Sequence, residues 1–385
     1  MNAEISEFLQ SRIDAGDFPS AVYLVAEKGE IVFQDALGFA VVEPERIEAR
    51  LDTVYDLASL TKPLVTGLLL AQLIEKGQVD PNQLIENYFA DATVFGLASD
   101  FDALDTYVRE LLTHSSGFQA WKPFYLIVED RTEVLVDILN TAPTPDKPQI
   151  LYSDLNFIVL TFLIERIFDE RLDEIAKVRM FEPLGLEDTL FNPLRDILLT
   201  RIAASETGNM YEKQVCLEQG YLDEVMIKYR VPQHVFRDYT ICGEVHDGNA
   251  YFMGGVAGHA GLFSTAEEVF KIALQFLPNY TQLLKPETCG LFTTNFTKGL
   301  NEDRSFAFQL ASTKDSTAGT KMSPESFGHN GFTGTSVWID PGKDRVFVLL
   351  TNRTHDHPLP FVNINSVRRR FHDLAIAALD NISSN

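Results

Sequence analysis

Cysteine is scarce in this chain of 385 residues: there are three, Cys216, Cys242 and Cys289, far apart, odd in number and without CxxC spacing. They suggest neither a disulfide framework nor a structural zinc site, and all three read as ordinary thiols. Basic residues are also in deficit, with 32 Lys and Arg against 55 Asp and Glu, for a net charge of -23. A field of that sign repels phosphate wherever salt does not screen it, which argues against nucleic acid and anionic membranes as partners. A cluster of cations inside a cleft can still overrule the field at short range, so small anionic substrates stay open. No run reaches the roughly 18 apolar residues that a membrane helix needs, and GLLLAQLIEKG stops well short. The opening MNAEISEFLQSRIDAG has no basic start and no long apolar stretch; it spaces Ile5, Phe8, Leu9 and Ile13 as one helical face among acids. That pattern predicts a docking helix rather than a signal peptide, and so a soluble, cytoplasmic protein without membrane insertion. Internal repeats and low-complexity tracts are missing as well.

What is present is sheet at both ends and helix between. SAVYLVAEKGEIVFQDALGFAV reads as two β-rich runs joined at Lys28-Gly29, a hairpin whose glycine supplies the awkward turn dihedral. From Ser59 to Lys76, Leu64, Leu68, Leu69 and Leu73 recur at helical spacing and Gly77 stands where a C-cap glycine would, which predicts one long central helix. Residues 80 to 290 alternate helical patterns, such as LDTYVRELLTH, TEVLVDILNT and FIVLTFLIERIF, with loops bearing Pro and Gly. Sheet character returns in SFAFQLAS, TSVWIDP and RVFVLLTNR, the last two separated by the turn Pro341-Gly342-Lys343-Asp344. A final amphipathic helix runs from about Val367 to Leu379. The expected fold is α/β of the α+β kind: an antiparallel sheet flanked by helices, with a large helical insertion. It forms one catalytic unit, with an α/β subdomain from 1–78 plus 295–385, a helical subdomain at 79–294, and a groove between them as the default site.

A hydroxyl nucleophile needs a base within reach, and Ser59-Leu60-Thr61-Lys62 places a serine and a lysine on one helical face. The positive end of the helix favours charge developing at Ser59. Pro63 is awkward there, because it leaves an early carbonyl without its partner. Alone, this spacing arises easily by accident, and a solvated lysine at a helix start is the plain alternative. Two further segments change the weighting: Tyr152-Ser153-Asp154 just before FIVLTFLIERIF, and His329-Asn330-Gly331 just before TSVWIDP.

With these in order, the chain resembles the serine β-lactamase and penicillin-binding-protein superfamily, in particular its class C-like branch of esterases and D-amino-acid peptidases. Those proteins carry SxxK, then Tyr-x-Asn, then Lys-Thr-Gly or His-x-Gly. The runs Leu112-Thr113-His114-Ser115-Ser116-Gly117, Gly258-His259-Ala260-Gly261-Leu262-Phe263-Ser264-Thr265 and Phe332-Thr333-Gly334-Thr335-Ser336 are similar too, and the likeness spans nearly the whole chain. The resemblance implies a β-lactamase/transpeptidase-like fold. It makes Ser59 the acylated nucleophile, Lys62 its base, and Tyr152 the group that moves protons to the leaving atom and activates water. It places the oxyanion hole at the amides of Ser59 and Phe332, and substrate contacts at Asp154, His329, Asn330 and Gly331. Tyr152 would need a lowered pKa from cationic neighbours. No cofactor is implied. The implied activity is hydrolysis of small esters or amides, with muropeptide fragments or short peptides as candidate substrates. A β-lactamase, an acyltransferase using the same nucleophile and a non-catalytic sensor are the alternatives, and the oligomeric state is not addressed.

Two positions depart from the family pattern. Asp154 stands where relatives have asparagine and would hold Lys62 charged; Asn156, one step along, is a possible substitute for the missing amide. His329 stands where β-lactamases have lysine, which weakens the attraction for an anionic drug near neutral pH and would restore it as pH falls toward about 6. His246-Asp247, His259 and His355-Asp356-His357 lack the spacing of a metal site. Gly254-Gly255 and the glycines at 258 and 261 precede no GK[ST], and read as a turn into a helix capped by Thr265 and Glu268. Arg353 reads either as a docking point for a substrate carboxylate or as a surface salt bridge.

Overall fold

The computed structural model describes residues 1–89, 102–141, 143, 149–223 and 235–383, so parts of the expected helical block at 90–101, 144–148 and 224–234 lie outside the described residues. The chain opens with helix α1 (Ala3–Asp14), followed by strands β1 (Ser20–Glu27) and β2 (Glu30–Val41). Lys28 and Gly29 between them have φ of 54° and 79°, the left-handed pair that a tight two-residue hairpin requires. β3 (Ile47–Glu48) extends this sheet, β4 (Tyr55–Asp56) leads to the nucleophile turn, and helix α2 (Leu68–Glu75) follows. In the middle of the chain lie helix α3 (Asp154–Phe168), β5 (Leu190–Phe191), β6 (Leu262–Ser264) and helix α4 (Ala266–Ala273). The remaining strands are β7 (Gln309–Leu310), β8 (Phe327–Asn330), β9 (Ser336–Asp340) and β10 (Arg345–Thr351), and helix α5 (Asn365–Ser383) closes the chain.

The main sheet has seven strands in the order β3-β2-β1-β10-β9-β8-β7, and every neighbouring pair is antiparallel. β1 and β10 meet in the centre although they come from opposite ends of the chain, with Ala21 opposite Thr351 and Glu27 opposite Arg345. Both strands are apolar almost throughout because both faces of the sheet are covered. On one face Tyr23, Val25, Trp338 and Phe347 pack against Ile5 and Leu9 of α1 and Phe371 and Leu374 of α5. On the other, Val22, Leu24, Ile339 and Val348 join the larger core that includes α2 and α3.

A second sheet of three strands, β4-β6-β5, ties the nucleophile turn to the run at 258–265. Strand β6 replaces part of the turn expected there, while Thr265 caps α4 by accepting from the Glu268 amide as predicted. Of SFAFQLAS only Gln309–Leu310 pairs as strand. The long helix expected from Ser59 to Lys76 is instead built in three pieces: a 3-10 turn at Ala58–Leu60, wide π turns at Lys62–Gly67, and α2. Pro63 explains the break, since it has no N–H to give the carbonyl four residues back, and a wider turn re-pairs the chain.

Candidate active site

Ser59 sits on the 3-10 turn, directly after Ala58, whose φ of 48° marks a sharp left-handed corner. Asp56 braces this corner, its carboxylate accepting from the amides of Ala58 at 2.8 Å and His246 at 2.7 Å. The third sequence motif is tied to the same place: Thr333 Oγ1 donates to the Asp56 carbonyl at 2.7 Å and Thr335 Oγ1 to the Leu57 carbonyl at 3.0 Å. Gly331 allows that approach, because a Cβ there would lie 2.0 Å from Thr335 Oγ1 and 2.5 Å from the Leu57 carbonyl. Phe332 therefore stands beside the nucleophile, its ring stacked on His246 at 5.5 Å.

Lys62 is fully buried. Its Nζ donates to Ser59 Oγ and to the His259 carbonyl, both at 3.0 Å, and forms an ion pair with Asp154 Oδ1 at 2.7 Å. Burial works against the lysine's charge, but Asp154 and Tyr152 outweigh it and hold the Lys62 pKa above its ordinary value. The resting side chain is an ammonium. Asp154 is the first residue of α3, where the helix N-terminus favours its negative charge.

Tyr152 lines the same two cavities as Ser59, and Lys62 Nζ lies 5.0 Å from its ring centroid. The expectation of a lowered Tyr152 pKa is overturned. Burial raises it and the Asp154 charge adds to that, so the nearby Lys62 does not bring it below the ordinary value. His114, whose residue has φ of 57°, sets the phenol in place: its ring packs on Tyr152 at 4.4 Å and its Nδ1 accepts from the Ser153 amide at 3.0 Å. Burial and then the charges of Arg304 and Lys62 keep His114 neutral, its pKa well below the usual histidine value.

Asn156 does not take the place of the missing amide, since its Oδ1 accepts from Ser116 Oγ at 2.7 Å and its Nδ2 lies 3.4 Å from His114. His329 lies near the end of β8 with its ring 5.8 Å from that of Tyr152. Burial, then Arg304 and Lys62, lower its pKa well below the ordinary value, so the expected gain of charge toward pH 6 does not follow. Asn330 accepts from Thr317 Oγ1 at 3.0 Å. Arg353 makes no salt bridge among the described residues; its Nε donates to the Phe332 carbonyl at 2.7 Å and its Nη1 to that of Val362 at 2.8 Å, and it lines a cavity shared with Ser59. It shapes the Phe332 loop.

The histidines outside the first motifs have structural partners. His246 pairs with Glu206 at 2.8 Å and His259 with Asp247 at 3.0 Å. His355 bridges the Val42 amide and the Ser205 carbonyl.

Two cavities open on Ser59, Tyr152 and Phe332. One, of about 340 Å³, is lined also by Trp121, Asp154, Glu212 and Asp247. The other, of about 420 Å³, is lined also by Arg304, His329, Asn330 and Arg368. Burial, then the charge of Asp247, lift the Glu212 carboxyl to about 7. Asp247 stays ionised because His259 and the Ala250 amide outweigh its burial. A larger cavity of about 710 Å³ shares Glu212, but Ser59, Lys62 and Tyr152 do not line it. Glu212 and Arg304 were missed by the sequence reading, since nothing in their local pattern ties them to the nucleophile, and Asp247 was weighed there only as a metal ligand.

Comparison with family profiles matches residues 5–368 to the Beta-lactamase family. Curated proteins of Escherichia coli with the provisional name D-alanyl-D-alanine carboxypeptidase are 30% identical over 91% of this chain and 82% of their own length, and one of Salmonella gallinarum is 31% identical over 90% and 82%. Among solved structures, a penicillin-binding protein homologue from Caulobacter crescentus superposes with a TM-score of 0.69 at 18% identity, over 97% of this chain and 96% of its own. The octameric penicillin-binding protein homologue from Pyrococcus abyssi gives 0.69 at 16% identity, over 97% and 77%. These matches support a hydrolase, and the chain belongs to the Beta-lactamase family.

Proposed function

We propose that the protein hydrolyses a small ester or amide through an acyl-enzyme on Ser59. The observation that carries this reading is the contact of the buried Lys62 Nζ with Ser59 Oγ at 3.0 Å, in a cluster completed by Tyr152 and Asp154. Ser59 Oγ attacks the carbonyl carbon, and the C=O electron pair moves onto oxygen. The amides of Ser59 and Phe332 receive that oxyanion; such donors stabilise a transition state by roughly 3 to 4 kcal/mol each. The serine proton passes into the Tyr152–Lys62 pair and from there to the leaving nitrogen or oxygen as its bond to the acyl carbon breaks. Water then attacks the Ser59 ester, gives a proton to the same pair, and Ser59 Oγ recovers it on release of the acid.

With an ammonium at Lys62 and a phenol at Tyr152 in the resting state, the form competent to accept a proton has lost one from the pair, which titrates as a unit. The relatives named as carboxypeptidases favour an amide of a short peptide as the natural bond, with muropeptide fragments as candidates. The test is adduct mapping with a serine-directed fluorophosphonate. A single label on Ser59, absent from Ser59→Ala, is expected; a label on Ser115, Ser116 or Ser153 overturns the assignment.

A further inference from the structure

Phe332 carries one of the two amides proposed to receive the oxyanion, and its side chain is the centre of an aromatic cluster. The His246 ring stacks on it at 5.5 Å, Tyr211 packs on it at 4.8 Å and Phe361 at 6.0 Å. His246 and Tyr211 also line the cavity that holds Ser59. They come from separate segments, Tyr211 from the helix Met210–Glu218 and His246 from the loop before the helix Gly248–Phe252. Rings brought together in this way keep their aim only where hydrogen bonds lock them.

One carboxylate ties both. Glu206 Oε2 accepts from His246 Nε2 at 2.8 Å, and Glu206 Oε1 accepts from the Tyr211 amide at 2.8 Å. Glu206 is only 3% exposed and lines neither cavity that opens on Ser59, so it acts through its partners. Its own backbone is fixed, the carbonyl accepting from the Ile241 amide at 3.0 Å beside the antiparallel bridge of Thr207 and Thr240. Burial works against a charge on His246, but Glu206, with Glu212 and Asp56, outweighs it and holds the pKa above the ordinary value. The contact is therefore a charged hydrogen bond, the stronger kind. At its other end the same histidine reaches the nucleophile. Its amide donates to Asp56 Oδ2 at 2.7 Å, and Asp56 Oδ1 accepts from the amide of Ala58, directly before Ser59, at 2.8 Å. Both proposed oxyanion donors thus lean on His246, that of Phe332 through the ring and that of Ser59 through the backbone. Such donors act because they are aimed before charge develops, and a misplacement of about 1 Å can cost roughly 100-fold.

We infer that Glu206 is a positioning residue of the oxyanion hole: by holding the His246 ring and the Tyr211 backbone it keeps Phe332, and with it the Phe332 amide, aimed at the carbonyl oxygen under attack. This rests on the Ser59 hydrolase reading and deepens it.

The test uses the full chain with p-nitrophenyl acetate as substrate and phenylboronic acid as inhibitor. The boronate adds to a serine hydroxyl as a tetrahedral anion, so its affinity reports on the oxyanion donors without turnover. Glu206→Gln keeps the size of the side chain and an acceptor for the Tyr211 amide, but removes the charge that His246 pairs with. It is expected to lower kcat roughly 10-fold, part of what the loss of a whole donor costs. An oxyanion forms in both acylation and deacylation, so KM should stay within about twofold. Phenylboronic acid should bind more weakly by a factor close to the loss in kcat. Glu206→Ala releases the Tyr211 amide as well and should lose roughly 100-fold. If thermal melts show Glu206→Ala to be unfolded, Glu206→Gln decides alone, because His246 can stay neutral beside an amide and no buried charge is stranded. Wild-type kcat in folded Glu206→Gln, a loss confined to KM, or a fall in kcat with unchanged phenylboronic acid affinity overturns the role of Glu206. If instead the wild-type protein turns over no ester and takes no fluorophosphonate, it is the Ser59 reading that fails.

Discussion

The contact between Lys62 and Asp154 sets the working pH of the proposed mechanism. Among the influences on Lys62, the Asp154 charge is the largest that raises its pKa, against burial, which lowers it. The reactive form has one proton fewer on the Lys62–Tyr152 pair, so kcat/KM for p-nitrophenyl acetate is expected to climb with pH through the alkaline range. Asp154→Asn removes the raising charge and leaves burial in force, so its ascending limb should move to lower pH by about one unit or more, with a faster reaction near neutrality. An unmoved limb, or one displaced to higher pH, would contradict the role given to Asp154. Lys62→Met and Tyr152→Phe should each slow turnover by roughly 100-fold or more with the fold intact, as measured by steady-state kinetics and thermal melts. His329 gives a further expectation. An ordinary histidine would gain most of its charge by about pH 6 and draw an anion in, but the depressed pKa of His329 keeps it neutral there. The KM for nitrocefin should thus stay flat between neutrality and about pH 6, and a steady fall would show that His329 titrates.

At the scale of elements, the site depends on loops pressed against helices where only glycine fits. Gly258 packs so closely that a Cβ would lie 2.6 Å from both Thr66 Oγ1 and Thr161 Oγ1 and 2.8 Å from the Phe157 carbonyl. Its amide donates to Thr161 at 2.7 Å and its carbonyl accepts from Thr66 at 2.8 Å, which anchors the next residue, His259, whose carbonyl receives Lys62. Gly258→Ala is expected to destabilise the fold by about 1 to 3 kcal/mol through overpacking. Because the displaced loop carries the Lys62 acceptor, turnover should fall as well. Thermal unfolding and kinetics at a temperature where the variant is fully folded separate the two effects, and full activity in the folded variant would show that the loop does not position Lys62. The glycines of this run were visible in the sequence as a turn before a helix. Their role as a wall of the lysine pocket was not, because Thr66, Thr161 and Gly258 meet only in three dimensions.

Across the whole molecule, the terminal helices form a separate core on the far face of the sheet, and a histidine lies inside it. His372 donates from Nδ1 to the Thr317 carbonyl at 2.8 Å and is enclosed by Trp338, Phe347 and Phe371. Burial, opposed by the Thr317 bond and helped by Arg368, lowers its pKa to about 3. The folded value lies below the unfolded one, so the stability linked to this group is present above about pH 6.5 and is lost as pH falls from there toward the folded pKa, by about 1.4 kcal/mol per pH unit. His372→Asn keeps a donor for Thr317 and removes the titration. Its unfolding free energy, taken from urea melts between about pH 6 and 4, should be shallower in pH than that of the wild-type protein by close to one proton. Equal slopes would mean that His372 already exchanges its proton in the folded state.

The sequence by itself determined the hairpin at Lys28-Gly29, the turn before β10, the sheet built from both ends of the chain and the order of the three motifs, because period, turn chemistry and spacing are local. Only the tertiary structure decided the raised pKa of Tyr152, the neutrality of His329 and the diversion of Asn156 to Ser116. Each of these is a balance between burial and neighbours brought from distant parts of the chain, and that balance has no value until the chain has folded around it.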